Sequence, residues 1–409
     1  MTTIKPWQIL QTAPHRIMFF GGALQILAVM LWFLLELLTR NGVFWHPIDW
    51  GIAPSASHAY LMIYGLFPFF MFGVQMTTFP RWLNGTEISQ KFYVPAFMLL
   101  MFGAAGFYIG LLTNHTVLKA AICCTLTGWG IALYALMRVL LDTPSQDKRH
   151  PKIIFGAAYL GWCCQMAYLI YLVTDNIMWV RFAIEGGLWL FLLPLFVTVA
   201  HRMIPFFTGG AIPQYKINTP YWPLWVMLAA SACHGLLEFN TLFSWLWVCD
   251  APLAIAALYL SRQWGFSRSL KIPLLAVLHV GFVWLGFAMV LFTVQSLVLC
   301  FSGGHTFIWG LAPMHAMTIG FFVSILTGIA TRVTLAHSGL SLVLDTPVKS
   351  ILVGLQIVAL LRVQADMLPI ENRQWLYVAA GIVWLACFVP WVVRFIPFYW
   401  KQRADGQPG

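Results

Sequence analysis

Charge is what this sequence has least of. Of its 409 residues only 9% are Asp, Glu, Lys or Arg, against about a quarter in an average soluble domain. So few ionised groups cannot coat a soluble chain of this length, which excludes a soluble globule and, with it, coiled coil and disorder. Acids are scarcer still, 13 against 23 basic residues. Also missing is any linker or composition shift that would mark a second domain. The 8 cysteines show neither CxxC nor the Cys/His spacing of zinc or thiol-redox sites, so they read as buried small hydrophobes. No small-residue cleavage site follows the first apolar stretch, which is therefore expected to be retained and not removed as a signal peptide.

What is abundant is apolar: 60% of the residues are hydrophobic, with 20 Trp and 32 Phe, and the mean hydropathy is +0.80. Runs of about 20 apolar residues are the length a helix needs to cross hydrocarbon. Twelve such runs are predicted, near residues 17–38, 58–79, 93–112, 117–140, 153–173, 183–206, 222–237, 242–260, 274–299, 311–331, 348–367 and 375–399. The expected fold is an all-α integral membrane protein of about twelve transmembrane helices, a single polytopic membrane domain over residues 1–409. With both termini cytoplasmic, the inner side collects 18 of the 23 Lys and Arg, and the outer side only five: Arg40, Lys119, Arg181, Arg362 and Arg373. That asymmetry fits the positive-inside rule, so the formal charge of +10 marks orientation and not a nucleic-acid partner.

Direction gives each polar residue a depth. His58, His234, His305 and His315 fall on the outer side, as do loop residues His46 and His115. His15, His150, His201, His279 and His337 fall on the inner side. Glu36, Glu185, Glu238 and Asp250 all belong to the outer half, so a cluster of imidazoles and acids is expected there. A weaker regularity recurs every four spans. The second, sixth and tenth each end in an arginine followed by a glycine-containing turn, Arg81 to Gly85, Arg202 to Gly209 and Arg332 to Gly339, which hints at a threefold repeat.

An ionisable residue inside a span costs several kcal/mol unless paired, ligated or hydrated, so function is the first hypothesis for it. In His58-Ala59-Tyr60-Leu61-Met62 an imidazole and a thioether share one helix face; the His reads as a metal or haem ligand and the Met as packing. Pro313-Met314-His315-Ala316 sets a second imidazole at matching depth, and Gly320, Gly328 and Ala330 below it permit close approach of a helix or a porphyrin. A haem held by His58 and His315 is the expectation. His234 and Glu238 stand at i, i+4, with Asp250 early in the next span. These groups either orient a metal-bound imidazole and pass protons, or make a packing hydrogen bond between helices. Glu185, before Gly186-Gly187, joins the same set. On the inner side His201, Arg202, Arg332 and His337 offer partners for propionates or a lipid headgroup, and His279 is either a ligand or an interfacial side chain.

These residues resemble the NnrS family. The run Met314-His315-Ala316-Met317-Thr318-Ile319-Gly320, continuing to Ala330-Thr331-Arg332-Val333-Thr334-Leu335-Ala336-His337-Ser338-Gly339, is similar to that family's HALTxG…ARVxLGHxG stretch. His58 to Gly65 resembles WHAHEMLFG, and Arg202 to Thr208 resembles RxIPxFT. The segment around His279 and Trp284 is also similar. The resemblance implies a bacterial inner-membrane, multi-pass protein containing haem b and copper, tied to nitric oxide metabolism, nitrosative stress and denitrification. Matched positions are His58, Arg202, His279, His315, Arg332 and His337. One departure is clear: the family's second His and its Glu are Tyr60 and Leu61 here, and Ser57 replaces its Trp, which puts one copper ligand in doubt.

Twelve helices with haem ligands in the second and tenth also resemble the haem-copper oxidases and their pseudo-threefold arrangement, although no adjacent His pair and no HPEVY-like run is present. The expected activity is therefore nitric oxide binding at a haem and its reduction to nitrous oxide. His58, His234, His279 and His315 are the metal-ligand candidates. Glu185, Glu238 and Asp250 would supply protons from the periplasmic side, and a quinol or periplasmic cytochrome would supply electrons. The alternative is a secondary transporter of haem, copper or a small anion that uses the same groups as a coupling relay.

Overall fold

In a computed structural model, residues 5–43, 46–368 and 370–405 are described, and no strand occurs among them. The long helices are α1 (Pro14–Arg40), α2 (Pro54–Leu83), α3 (Gln90–Leu112), α4 (His115–Asp142), α5 (Arg149–Thr174) and α6 (Ile177–Ala211). They continue as α7 (Tyr221–Phe239), α8 (Trp247–Gln263), α9 (Pro273–Phe301), α10 (Ala312–His337), α11 (Thr346–Met367) and α12 (Ile370–Phe395). Ten are long and apolar enough to cross a bilayer, which makes this a multi-pass membrane protein. The two that fall short are α7 and α8, the seventh and eighth expected spans; α8 has only 17 residues and begins five residues later than the sequence predicts. These two carry His234 and Asp250, so the polar cargo itself lowers their hydropathy.

Local chemistry sets the helix ends. Proline at the first turn opens α1, α2 and α9, where its missing N–H costs nothing. The side chains of Asn114, Asn176 and Asp345 accept hydrogen bonds from first-turn N–H groups of α4, α6 and α11. Asn84 and Asp175 close α2 and α5 in the left-handed conformation.

Three helices are not α-helical throughout. A π turn occupies Leu61–Leu66 in α2, Gly187–Leu192 in α6 and Ala316–Val323 in α10. In α2 and α6 the wide turn lies just before Pro68 and Pro194, whose rings would clash with the carbonyl four residues back in a regular helix. π turns recur at functional sites because they re-aim side chains. These three fall in the same helices, four apart, that carry Arg81, Arg202 and Arg332, although α6 and α10 continue past their arginines to Ala211 and His337 instead of turning there.

The chain folds as two compact units, whose boundaries fall inside α6, α10 and α12 and in the loop between α10 and α11. The first comprises Met1–Phe191, Val333–Ser341 and Val389–Gly409; the second, Leu192–Arg332 and Leu342–Phe388. In the first unit α3 packs along α4, α1 along α2, and α4 along α5. Polar links tie its helices: Gln25 of α1 donates to Tyr108 of α3 (3.0 Å), and Tyr64 of α2 donates to the Ala183 carbonyl of α6 (2.5 Å). Gly187 permits the latter approach, since a Cβ there would stand 2.6 Å from the Tyr64 hydroxyl. In the second unit α8 packs on both α7 and α9, and α10 on α9 and α11. Trp284 of α9 donates to Gln356 of α11 (2.8 Å), which donates in turn to Ser324 of α10 (3.1 Å).

Candidate functional site

The second unit contains an ionisable cluster, buried except at Glu238. His234 of α7 and Asp250 of α8 are both wholly buried, and Nδ1 lies 2.6 Å from Oδ1. Helix α8 delivers Asp250 from its first turn, after the short 3-10 turn Phe243–Trp245 that carries the chain over from α7. Glu238, one turn beyond His234, brings its Oε2 to 3.5 Å from Nε2. Cys249 is also buried; its thiol donates to the Leu246 carbonyl (3.0 Å), with Asp250 Oδ1 at 3.8 Å. One ligand atom each from His234, Cys249 and Asp250 falls within 4.8 Å of the others. The second Asp250 oxygen, Oδ2, is buried with no hydrogen-bond partner among the described residues. An N, S and O donor set of this kind fits a borderline or soft transition metal such as copper or zinc. Phe292 of α9 closes the cluster edge-on, its ring centroid 5.1 Å from that of His234.

A second imidazole–carboxylate pair lies in the same unit. His315, at the head of α10 immediately before the π turn, turns Nδ1 toward the Leu311 carbonyl (2.9 Å) and Asp366 Oδ2 (3.2 Å). Asp366 is held from α11 and α12: Arg362 bonds Oδ2 (2.7 Å) and the Tyr377 hydroxyl donates to Oδ1 (2.7 Å). Arg362 also lies over the Tyr377 ring, 4.0 Å from its centroid. With Nδ1 engaged, Nε2 is the nitrogen available to a metal, and a carboxylate behind a ligating His is the usual support for one.

The other expected residues are distributed as follows. His279 engages Thr208 of α6 through Nε2 (3.0 Å); because the Thr208 hydroxyl donates to Ile204, the imidazole is the donor. Arg332 lies over Phe207, 4.1 Å from its centroid. His201 bonds the Pro220 carbonyl through Nε2 (2.9 Å), and Arg202 beside it is half-buried. Gly320 and Gly328 admit side chains of α9: a Cβ at Gly320 would stand 2.5 Å from Trp284, and one at Gly328 would meet Leu278 and Val277. Close helix approach, one of the two purposes expected of these glycines, is thus realised at both.

In the first unit, His58 stacks on Phe33 of α1 with ring centroids 3.8 Å apart. Glu185 pairs with Arg181 one turn back (3.0 Å), and Glu36 is taken up by Arg40 (2.6 Å) and the Trp50 indole (2.5 Å). His337 belongs to this unit and packs against His15 at 4.2 Å. Tyr60 is built into a neutral network: it donates to Thr125 (3.0 Å) and accepts from Gln165 (3.0 Å), which also donates to Thr125 (2.7 Å). Thr125 gives its own proton to the Ile122 carbonyl. Leu61 beside Tyr60 is fully buried. Among the described residues the side chains bonded to Tyr60 are neutral, and Gln165 Oε1 is left buried without a hydrogen-bond partner.

Of the acids expected together, His234 therefore gathers Glu238 and Asp250, whereas Glu185 and Glu36 have local arginine partners in the other unit. Sequence reasoning missed Cys249, although it adjoins Asp250, and missed Asp366, whose signal was the Arg362–Asp366 spacing of i, i+4 near the end of the eleventh span.

Residues 9–403 match the model of the NnrS protein family, nearly the whole chain, and the protein belongs to that family. No curated protein matches it.

Proposed function

We propose that this protein is a haem-containing oxidoreductase of a bacterial inner membrane that binds nitric oxide and reduces it to nitrous oxide. The observation that carries the reading is the buried His234–Asp250 pair with Glu238 and Cys249 beside it, inside a chain of a family linked to the nitric oxide response. The reaction takes two nitric oxide molecules, two electrons and two protons to one nitrous oxide and one water. Electrons come from a quinol or a periplasmic cytochrome.

The protein's own groups supply three things. His315, oriented by Asp366, offers Nε2 to haem iron, and His58 is the corresponding candidate in the first unit. His234, Cys249 and the open oxygen of Asp250 suit copper. A bound haem would supply a binding site for the gas and a one-electron couple. Glu238 and Asp250 flank one imidazole from two sides, so a proton held at Nε2 or Nδ1 has a carboxylate to receive it on either edge. Both acids lie in the outer half when the termini are cytoplasmic, as the uneven placement of Lys and Arg favours. Protons then enter from the periplasmic side without crossing the membrane. Arg202 and Arg332 are the cations available to propionates in the second unit.

The transporter reading calls for an inverted repeat, whereas the π turns of α2, α6 and α10 recur directly at four-helix spacing. The test is an absorption spectrum of the purified protein with and without nitric oxide, followed by consumption of the gas with an electron donor. A Soret band that shifts with the gas and is lost in His315→Ala is expected. Haem-loaded protein that neither shifts nor consumes nitric oxide would sink the proposal.

A further inference from the structure

The first unit gathers cations where α1 begins and α2 and α10 end. His15 and His337 pack ring to ring at 4.2 Å, and His15 Nδ1 reaches the Thr77 hydroxyl at 3.4 Å. Arg16 and Arg81 are within electrostatic range of both imidazoles, and Arg403 is within range of His337 and Arg16. Arg16 is almost fully buried, its Nη1 spread over the carbonyls of Phe398, Tyr399 and Lys401 (3.3, 3.4 and 2.8 Å). Those bonds satisfy one nitrogen but bring no negative charge, and Nε of the same guanidinium is buried with no hydrogen-bond partner among the described residues.

The acid of the C-terminal segment, Asp405, forks onto Arg403 (2.9 and 2.6 Å). No carboxylate pairs with Arg16 or Arg81 among the described residues. The segment that carries Arg403 and Asp405 is folded back over His337: the Ala404 N–H donates to the Ser338 carbonyl (3.0 Å), and the Asp405 carboxylate rests against Gly339, whose φ is +70°. Helix α1 also starts here without a side-chain cap at Ala13, so its positive end adds to the field.

A buried guanidinium without a counter-ion among the described residues is costly unless an anion completes the set, and the exposed Arg81 adds a second positive charge near it. We propose that this end of the first unit is a binding site for a phosphate-bearing anion, held by Arg16, Arg81 and Arg403 with His15 and His337 as hydrogen-bond donors, under a strap formed by residues 401–405. Phosphate chemistry matches clustered arginines with several acceptor oxygens, whereas a metal cation would be repelled by them. The source is either a phospholipid headgroup or free phosphate.

The test uses the full-length protein in phosphatidylcholine nanodiscs, with its unfolding midpoint followed as phosphatidylglycerol is introduced and, separately, as inorganic phosphate is titrated. A midpoint that rises with phosphatidylglycerol alone assigns a headgroup, and one that rises with inorganic phosphate assigns the free ion. In either case Arg81→Gln and His337→Gln weaken the response at least fivefold, while Arg149→Gln, at the first residue of α5 and paired with Asp147, leaves it unchanged. Gly339→Ala, which displaces the strap, weakens it without removing a cation. A wild-type protein that responds to neither probe, or a response that survives intact in Arg81→Gln and His337→Gln, overturns the site.

Discussion

His234 with Asp250 and His315 with Asp366 are built from the same two side chains in the same unit, each imidazole presenting Nδ1 to a carboxylate. Their surroundings differ. Asp250 is wholly buried with an imidazole as its main partner, and one of its oxygens lacks a partner among the described residues. Asp366 has both oxygens occupied, by Arg362 and Tyr377 as well as His315. A carboxylate already neutralised by an arginine serves best as a fixed orienting group, whereas one that leans on an imidazole alone is free to exchange a proton or take a metal. Under the proposed function the first pair is the reactive one and the second the mount for a ligand.

The largest effect that would break this contrast is expected at Asp250. Asp250→Ala leaves the buried His234 without its 2.6 Å carboxylate partner, at a cost of about 3–5 kcal/mol, readable as a lower unfolding midpoint together with loss of bound copper in elemental analysis. If copper content and stability both survive, the two pairs are not different in kind. Asp366→Asn keeps the hydrogen-bonding shape around Arg362 and Tyr377. Its expected signature is weaker haem retention by roughly 10–100-fold, with a much smaller change in the unfolding midpoint than Asp250→Ala.

Between these and the surface lies packing. Gly320→Ala drives a methyl into the Trp284 ring and should cost about 1–3 kcal/mol, with the Trp284 environment altered in fluorescence. Tyr60→His restores an imidazole where the family pattern has one, but dismantles the Thr125–Gln165 network. A loss of about 1 kcal/mol and no gain in bound copper are expected, since Leu61 still stands where the pattern has its acid; a gain in copper would show that the imidazole alone suffices. The smallest effect belongs to Arg149→Gln, whose exposed pair with Asp147 is worth less than about 1 kcal/mol. Hydrogen bonds from Arg149 hold the Asp147 carboxyl down at about 2. Its small contribution is thus present above the ordinary carboxylate range and is lost as pH falls through that value.

Particular residues show how far the chain could be read without its fold. Helices α1 to α6 and α9 to α12 were legible because apolar runs of membrane length carry their own signal. Helices α7 and α8 were also legible as runs, although their polar residues leave them less apolar than the other ten. The pairing of His234 with Glu238 follows from helical spacing, and Asp250 was within reach because a short turn separates the two helices. Asp366 was not legible, since its approach to His315 depends on α10 and α11 packing side by side. Cys249 could be seen, but a lone cysteine in an apolar stretch carries no sign that it will face an imidazole. The π turns were less legible: a proline just after two of them flags those, and the third, after His315, has none following it.

By itself the amino-acid sequence determined the class of molecule, the direction its charges favour, the family, and the short list of imidazoles and acids worth attention. These follow from composition, from one-dimensional periodicity and from helical neighbours, all of which are local. Tertiary structure alone decided which acid each imidazole meets. It gave His234 a bare carboxylate, His315 a neutralised one and His337 another histidine among arginines, because those partners come from helices whose order in space is set by packing and not by their order along the chain.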